Sequence, residues 1–283
     1  MTDSIAPDTH IGRVSLRVSD LDRLVSFYRD TIGFDVLETT DTTATLGASE
    51  TPLLELTADP DLPERRRTET GLFHTAFRVP TREALADALV RVEQNWQLSG
   101  ASDHLVSEAL YLRDPDGNGI ELYVDRPREE WERDEAGTLR MDTLPLSLAP
   151  LRESGDPESK LPAGTDVGHI HLEVSSIPQT RTFYTEVVGM DEPVSLPSPY
   201  GDSSLFVSAG GYHHHIGANT WNQRTDPATG RGLDWFELVV PAEDGLAALS
   251  SRLTEAGYDV ADIDSGLRVH GPDGIELRVR VES

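Results

Sequence analysis

Cysteine is absent from the 283 residues, and lysine occurs once, at Lys160. The first absence excludes disulfides and thiolate ligands, so any metal must be held by nitrogen and oxygen. The second leaves arginine as nearly all of the cationic side against 50 Asp and Glu, giving a net charge of −26. A nucleic-acid partner is disfavoured, because phosphate contact needs clustered Lys and Arg. There is no apolar run of about 18 residues, so no membrane span is expected. Met1-Thr2-Asp3-Ser4-Ile5 lacks the basic and apolar regions of a signal peptide. The expectation is a soluble, cytoplasmic protein. Charge this large repels itself at low salt, which predicts a salt-adapted source with a cation-rich cytoplasm.

What is present is histidine in two places. Of nine histidines, five lie in Gly168-His169-Ile170-His171-Leu172-Glu173-Val174 and in Tyr212-His213-His214-His215-Ile216-Gly217-Ala218-Asn219. The first segment alternates as a strand, which points His169 and His171 to one side. Read the same way, His213 and His215 share a face and His214 takes the other. Glu276, in Pro272-Asp273-Gly274-Ile275-Glu276-Leu277, could complete a set of two imidazoles and one carboxylate. That donor set, with the opposite face open, is the one used by non-haem Fe(II) oxygenases. A lone histidine on a strand is more often a packing residue, and His10, His74, His104 and His270 taken singly read that way.

Along the chain one unit recurs. Residues 1–10 read as a flexible lead-in, and 11–18 alternate as a strand. Ser19-Asp20 supplies a cap, and 21–33 form an amphipathic helix ended by Gly33. Short β segments follow at 34–39, 43–46 and 52–57. Ile11-Gly12, Val18-Ser19, Phe27-Tyr28 and Gly33 recur as Val167-Gly168, Val174-Ser175, Phe183-Tyr184 and Gly189, at a constant offset of 156. That is an internal repeat. The stretches starting at Gly71 and Gly232 match each other, lead into helices at 82–95 and 243–256, and end in Pro-Asp-Gly turns before Ile-Glu-Leu strands. Four βαβββ modules result, at 11–60, 71–126, 167–222 and 232–282. The predicted architecture is α+β: 1–127 as an N-terminal domain, 128–164 as a polar linker, and 165–283 as a C-terminal domain, each a curved mixed sheet forming a cup with helices outside.

These modules, the helix ending in Phe-Tyr and the Pro-Asp-Gly closure resemble the vicinal oxygen chelate superfamily of glyoxalase I, bleomycin-resistance proteins and extradiol dioxygenases. The stretch 209–221 together with Ser107-Glu108-Ala109-Leu110-Tyr111 is most similar to the catechol 2,3-dioxygenase group. The resemblance implies that ligands come from first and last strands of modules. First-strand positions are then Arg13, His74, His169 and Trp235. Last-strand positions are Glu55, Glu121, His215 (with His213 as the fallback) and Glu276. Arg13 and Trp235 cannot ligate.

The resemblance further implies Fe(II), with Mn(II) as a substitute, held by His169, His215 and Glu276 in the C-terminal cup. It implies an extradiol dioxygenase that cleaves a small aromatic diol with O2. His213 and His171 are the expected acid/base residues, and Tyr212, Trp235, His270 and Trp221 the expected pocket lining. A second, N-terminal metal site would use Glu55, His74 and Glu121. Two alternatives stay open: a glyoxalase-like isomerase or lyase using Zn or Ni, and a non-catalytic binder of aromatic compounds. The fold often self-associates, and no stretch identifies an interface.

Overall fold

The computed structural model describes residues 4–194 and 201–282. Module one contains β1 (His10–Val18), α1 (Leu21–Phe27), β2 (Asp35–Thr39), β3 (Thr43–Ala48) and β4 (Thr51–Ala58). Module two contains β5 (Gly71–Arg78), α2 (Arg82–Asn95), β6 (Gly100–Asp103), β7 (Ser107–Arg113) and β8 (Gly119–Asp125). The segment expected as a linker carries β9 (Leu144–Pro145) and α3 (Ala149–Ser154). Module three contains β10 (Asp166–Glu173), α4 (Ile177–Arg181), β11 (Ser204–Val207) and β12 (Ile216–Asn219); residues 195–200 of it lie outside the described residues. Module four contains β13 (Gly232–Val240), α5 (Glu243–Glu255), β14 (Val260–Ile263), β15 (Gly266–His270) and β16 (Glu276–Val281). The strands make two eight-stranded mixed sheets, ordered β14-β15-β16-β13-β1-β4-β3-β2 and β11-β12-β10-β5-β8-β7-β6-β9. No helix of the described residues is long and apolar enough to cross a membrane.

The local chemistry repeats with the sequence. Asp20 and Ser176 stand at the N-caps of α1 and α4 and accept from the backbone N–H groups of Arg23 and Gln179. Each helix then loosens into a π-helical turn, Tyr28–Ile32 and Thr182–Val187. Gly33 and Gly189 follow at φ 93° and 88°, a left-handed conformation that suits glycine. The Phe27–Tyr28 and Phe183–Tyr184 ring pairs are buried at centroid distances of 5.3 and 4.9 Å, so they pack helix to sheet.

By contacts the chain divides into two compact units. One takes Arg13–Pro63 and His74–Gly168. In it β1 pairs parallel with β4, and β5 parallel with β8. Leu16, Leu54, Leu56, Leu85 and Leu89 are sealed from solvent, each contributing roughly 1.5–3 kcal/mol on burial. The expected linker is built into this unit: β9 pairs with β6 and becomes the edge of its sheet, and Arg152 on α3 holds Glu93 on α2 at 2.7 Å.

The other unit takes Glu64–Phe73, His169 onward and the N-terminal residues to Gly12. Here β10 pairs parallel with β12, and β13 parallel with β16. The lead-in is ordered, contrary to expectation. Ile5 is buried and donates its N–H to the Gly189 carbonyl at 2.9 Å, so an apolar side chain and a backbone bond hold a segment whose sequence reads as loose.

Candidate metal centre

Two glycines make room for the histidine strand. A Cβ on Gly168 would collide with the Tyr123 hydroxyl, so glycine is required just before His169. On β12, Gly217 stands opposite His171, and a Cβ there would press on the imidazole Nδ1 at 2.9 Å. The rings of His169 and His171 are buried on the same face of β10.

The His213–His215 segment is not a strand. Gly210 and Gly211 take φ of 59° and 69°, the chain turns, and β12 begins only at Ile216. Facing by alternation therefore fails, and His214 packs more closely on His169 than His213 does, with ring centroids 4.1 Å apart against 6.1 Å. His213 and His214 are hydrogen-bonded through their Nδ1 atoms at 2.8 Å. His215 stacks on Tyr212 at 4.9 Å, and its Nδ1 accepts the Ala209 N–H at 3.2 Å.

The expected set of His169, His215 and Glu276 is not gathered. Glu276 starts β16, which pairs with β13 and β15, whereas His169 lies on β10, which pairs with β12. The Glu276 carboxylate meets Arg278 at 2.7 Å, His270 at 3.5 Å and Arg268 at 3.7 Å. Trp235 stands opposite Glu276 with the Arg278 guanidinium 4.0 Å over its ring, and the His270 side chain is 56% exposed. Trp235 and His270 therefore belong with Glu276 and not beside His169. Tyr212 and Trp221 do lie among the histidines: Tyr212 against His213 at 4.0 Å, Trp221 against His171 at 5.6 Å.

The expected N-terminal set is gathered in part. His74 on β5 and Glu121 on β8 are buried, with Nε2 and Oε2 3.0 Å apart. Glu55 on β4 faces Arg13 at 3.7 Å instead. In modules one and four, then, an arginine meets the last-strand carboxylate. Within this one unit, His74 and Glu121 thus bring a buried imidazole and a buried carboxylate together from the paired strands β5 and β8. Nitrogen and oxygen donors of this kind, with no thiolate, suit a divalent metal.

Tyr111 escapes a reading confined to ligand types. It stands opposite Glu121 across β7 and β8, and its hydroxyl lies 2.6 Å from His104 Nε2. Burial, then the charge of Glu121 and a hydrogen bond to it, push the Tyr111 phenol well above its ordinary range. The signal was the hairpin: the Pro115-Asp116-Gly117 turn fixes the register that puts Tyr111 beside Glu121.

Comparison with known proteins adds a second line. Residues 10–122 match the Glyoxalase/Bleomycin resistance protein/Dioxygenase superfamily. The chain is 44% identical over 278 residues to the catechol-2,3-dioxygenase of Bacillus subtilis (strain 168), covering 95% of this chain and 96% of that protein. A shorter match, 37% identical over 109 residues, covers 35% of this chain and 57% of biphenyl-2,3-diol 1,2-dioxygenase 3 of Rhodococcus globerulus. Two solved structures share the fold. A putative dioxygenase from Bacillus subtilis subsp. subtilis str. 168 has a TM-score of 0.64 at 12% identity, over 99% of this chain and 86% of that one. Glyoxalase I from Zea mays has a TM-score of 0.60 at 15% identity, over 97% and 92%.

Proposed function

The chain belongs to the glyoxalase/bleomycin resistance protein/dioxygenase superfamily, and on that premise we propose that it is a metal-dependent extradiol dioxygenase that cleaves the ring of a catechol with O2. The observation that carries this reading is the buried pair of His74 and Glu121. The near full-length identity to a catechol-2,3-dioxygenase supports it. His74 and Glu121 would hold Fe(II), with Mn(II) as a substitute. When bound, the metal supplies a chelation point for the diol oxygens and a route for electrons from the ring to O2.

The protein's own side chains do the rest. Tyr111 donates to Glu121 and fixes the orientation of that carboxylate. A diol must lose protons on binding and regain one later. The hydrogen-bonded imidazoles of His213 and His214, beside His169, are the groups that would take it and return it. His171 and Trp221 form a wall for the ring. The acidic, lysine-poor composition supports a cation-rich cytoplasm as the setting.

The test is anaerobic loading of the protein with Fe(II), followed by catechol and air. A yellow ring-fission product is expected. Its absence, with turnover of a hemithioacetal by Zn- or Ni-loaded protein instead, would replace the dioxygenase with an isomerase.

A further inference from the structure

Glu173 follows His169 and His171 on the same face of β10 and is 2% exposed. Its carboxylate is gripped from two directions. Arg65 Nη2 donates to Oε2 at 2.8 Å. Oε1 meets Arg224 Nε at 2.7 Å and accepts from Asn222 Nδ2 at 2.5 Å. Arg65 precedes Phe73 on the connector into β5, and Asn222 and Arg224 follow directly on Trp221. The two connectors also bond each other: the Thr70 N–H reaches the Asp226 carbonyl at 2.8 Å, and the Thr68 hydroxyl reaches Asp226 Oδ2 at 2.7 Å.

Phe73 and Trp221, the aromatics those connectors carry, meet His171. Centroids are 5.2 Å for Phe73–His171, 5.6 Å for Trp221–His171 and 5.6 Å for Phe73–Trp221, the last pair edge to face. Phe206 adds a fourth ring, 5.8 Å from His171. The cations nearby are already committed. Arg65 Nη1 also reaches the Thr70 carbonyl at 3.4 Å, and Arg224 Nη1 reaches the carbonyls of Arg66 and Glu69, both at 3.2 Å. Ring faces and edges are what this wall offers to a ligand.

We infer that Glu173 is a positioning residue for substrate selection: it fixes Phe73 and Trp221 around His171, and the subsite so formed takes an uncharged, apolar substituent of the diol ring. This rests on the dioxygenase reading above. The test measures anaerobic binding to the iron-loaded enzyme of a phenyl-substituted and a carboxyl-substituted catechol, then aerobic turnover. Wild type is expected to bind the phenyl compound about tenfold more tightly, the worth of one or two aromatic contacts. In Glu173→Gln that preference shrinks to within about twofold, and KM for the phenyl compound rises about tenfold while kcat moves by less than about twofold. Trp221→Ala, at a position 44% exposed and so tolerant of truncation, loses the same preference.

Equal binding of the two catechols by wild type would overturn the inference. So would an unchanged ratio in both variants, or a fall in kcat without a change in KM. Failure of wild type to cleave either ring would sink the dioxygenase reading, and the anaerobic binding ratios would still decide this one.

Discussion

Tyr111 and Glu121 face each other across one antiparallel hairpin, and the phenol donates its hydrogen bond to the carboxylate that pairs with His74. A carboxylate that is also a metal ligand is held in one orientation by such a partner. Tyr111→Phe should therefore weaken metal binding or turnover by about 10–100-fold, with a stability loss of only about 1 kcal/mol. Metal titration and urea denaturation of the same preparation check both numbers. Unaltered metal affinity and turnover would mean that the hydroxyl serves packing alone.

The four last-strand carboxylates should separate into two classes. Glu121→Gln and His74→Ala are expected to reduce Fe(II) affinity on the order of 100-fold or more, since each removes a ligand. Glu55→Gln and Glu276→Gln should leave iron content unchanged, because their carboxylates meet Arg13 and Arg278. Iron content after desalting reads this directly. Loss of metal in Glu276→Gln would restore the C-terminal set.

Asp114 gives a pH signature of its own. It is buried beneath Tyr28, whose hydroxyl donates to it at 3.1 Å. Burial pushes its carboxyl up to about 6, against the lowering effect of hydrogen bonds from Asn118 and Tyr28. Between its unfolded value of about 3.9 and about 6, the folded chain keeps a proton that the unfolded chain has released. Stability contributed by this group is thus full at low pH and declines as pH rises through that window, by at most about 3 kcal/mol. Asp114→Asn should remove that decline, so the urea midpoint of wild type falls relative to that of the variant as pH rises through the window. Parallel curves would contradict it.

Glu69 should act in the opposite sense. Burial alone would raise its carboxyl, but hydrogen bonds from Thr229, from the Arg66 N–H and from the Arg66 guanidinium hold it at about 2. Its contribution is present above about 4.3 and is lost as pH falls toward about 2. Glu69→Gln should be less stable than wild type at neutral pH, with the gap closing in acid, as followed by thermal denaturation. A gap that stays constant with pH would show that the ion pair is not the source.

Much of this was legible before any coordinates. The repeat at a constant offset, the Phe-Tyr helix ends and the Pro-Asp-Gly turns fix four modules, and the alternating segment of His169 and His171 forms a strand, β10. What failed has two physical causes. The first is Gly210-Gly211: two left-handed residues turn the chain, so His213, His214 and His215 do not alternate, and His214 is the imidazole stacked on His169. The second is that module positions do not say which modules share a sheet. His169 is on the first strand of module three and Glu276 on the last strand of module four, but β10 and β16 run in different sheets. Tyr111 was hidden for a third reason, because its role comes from a cross-strand neighbour and not from its own chemistry.

A chain of net charge −26 should depend on counter-ions. The melting temperature is expected to rise by several degrees, equivalent to about 1 kcal/mol or more, between about 0.1 M and about 2 M KCl. A flat response would remove the case for a salt-rich setting.

The most direct test is anomalous diffraction at the iron edge from crystals grown anaerobically with Fe(II). A single strong peak bonded to His74 and Glu121 is the predicted result. A peak bonded to Glu276, or none near His74, would contradict the account.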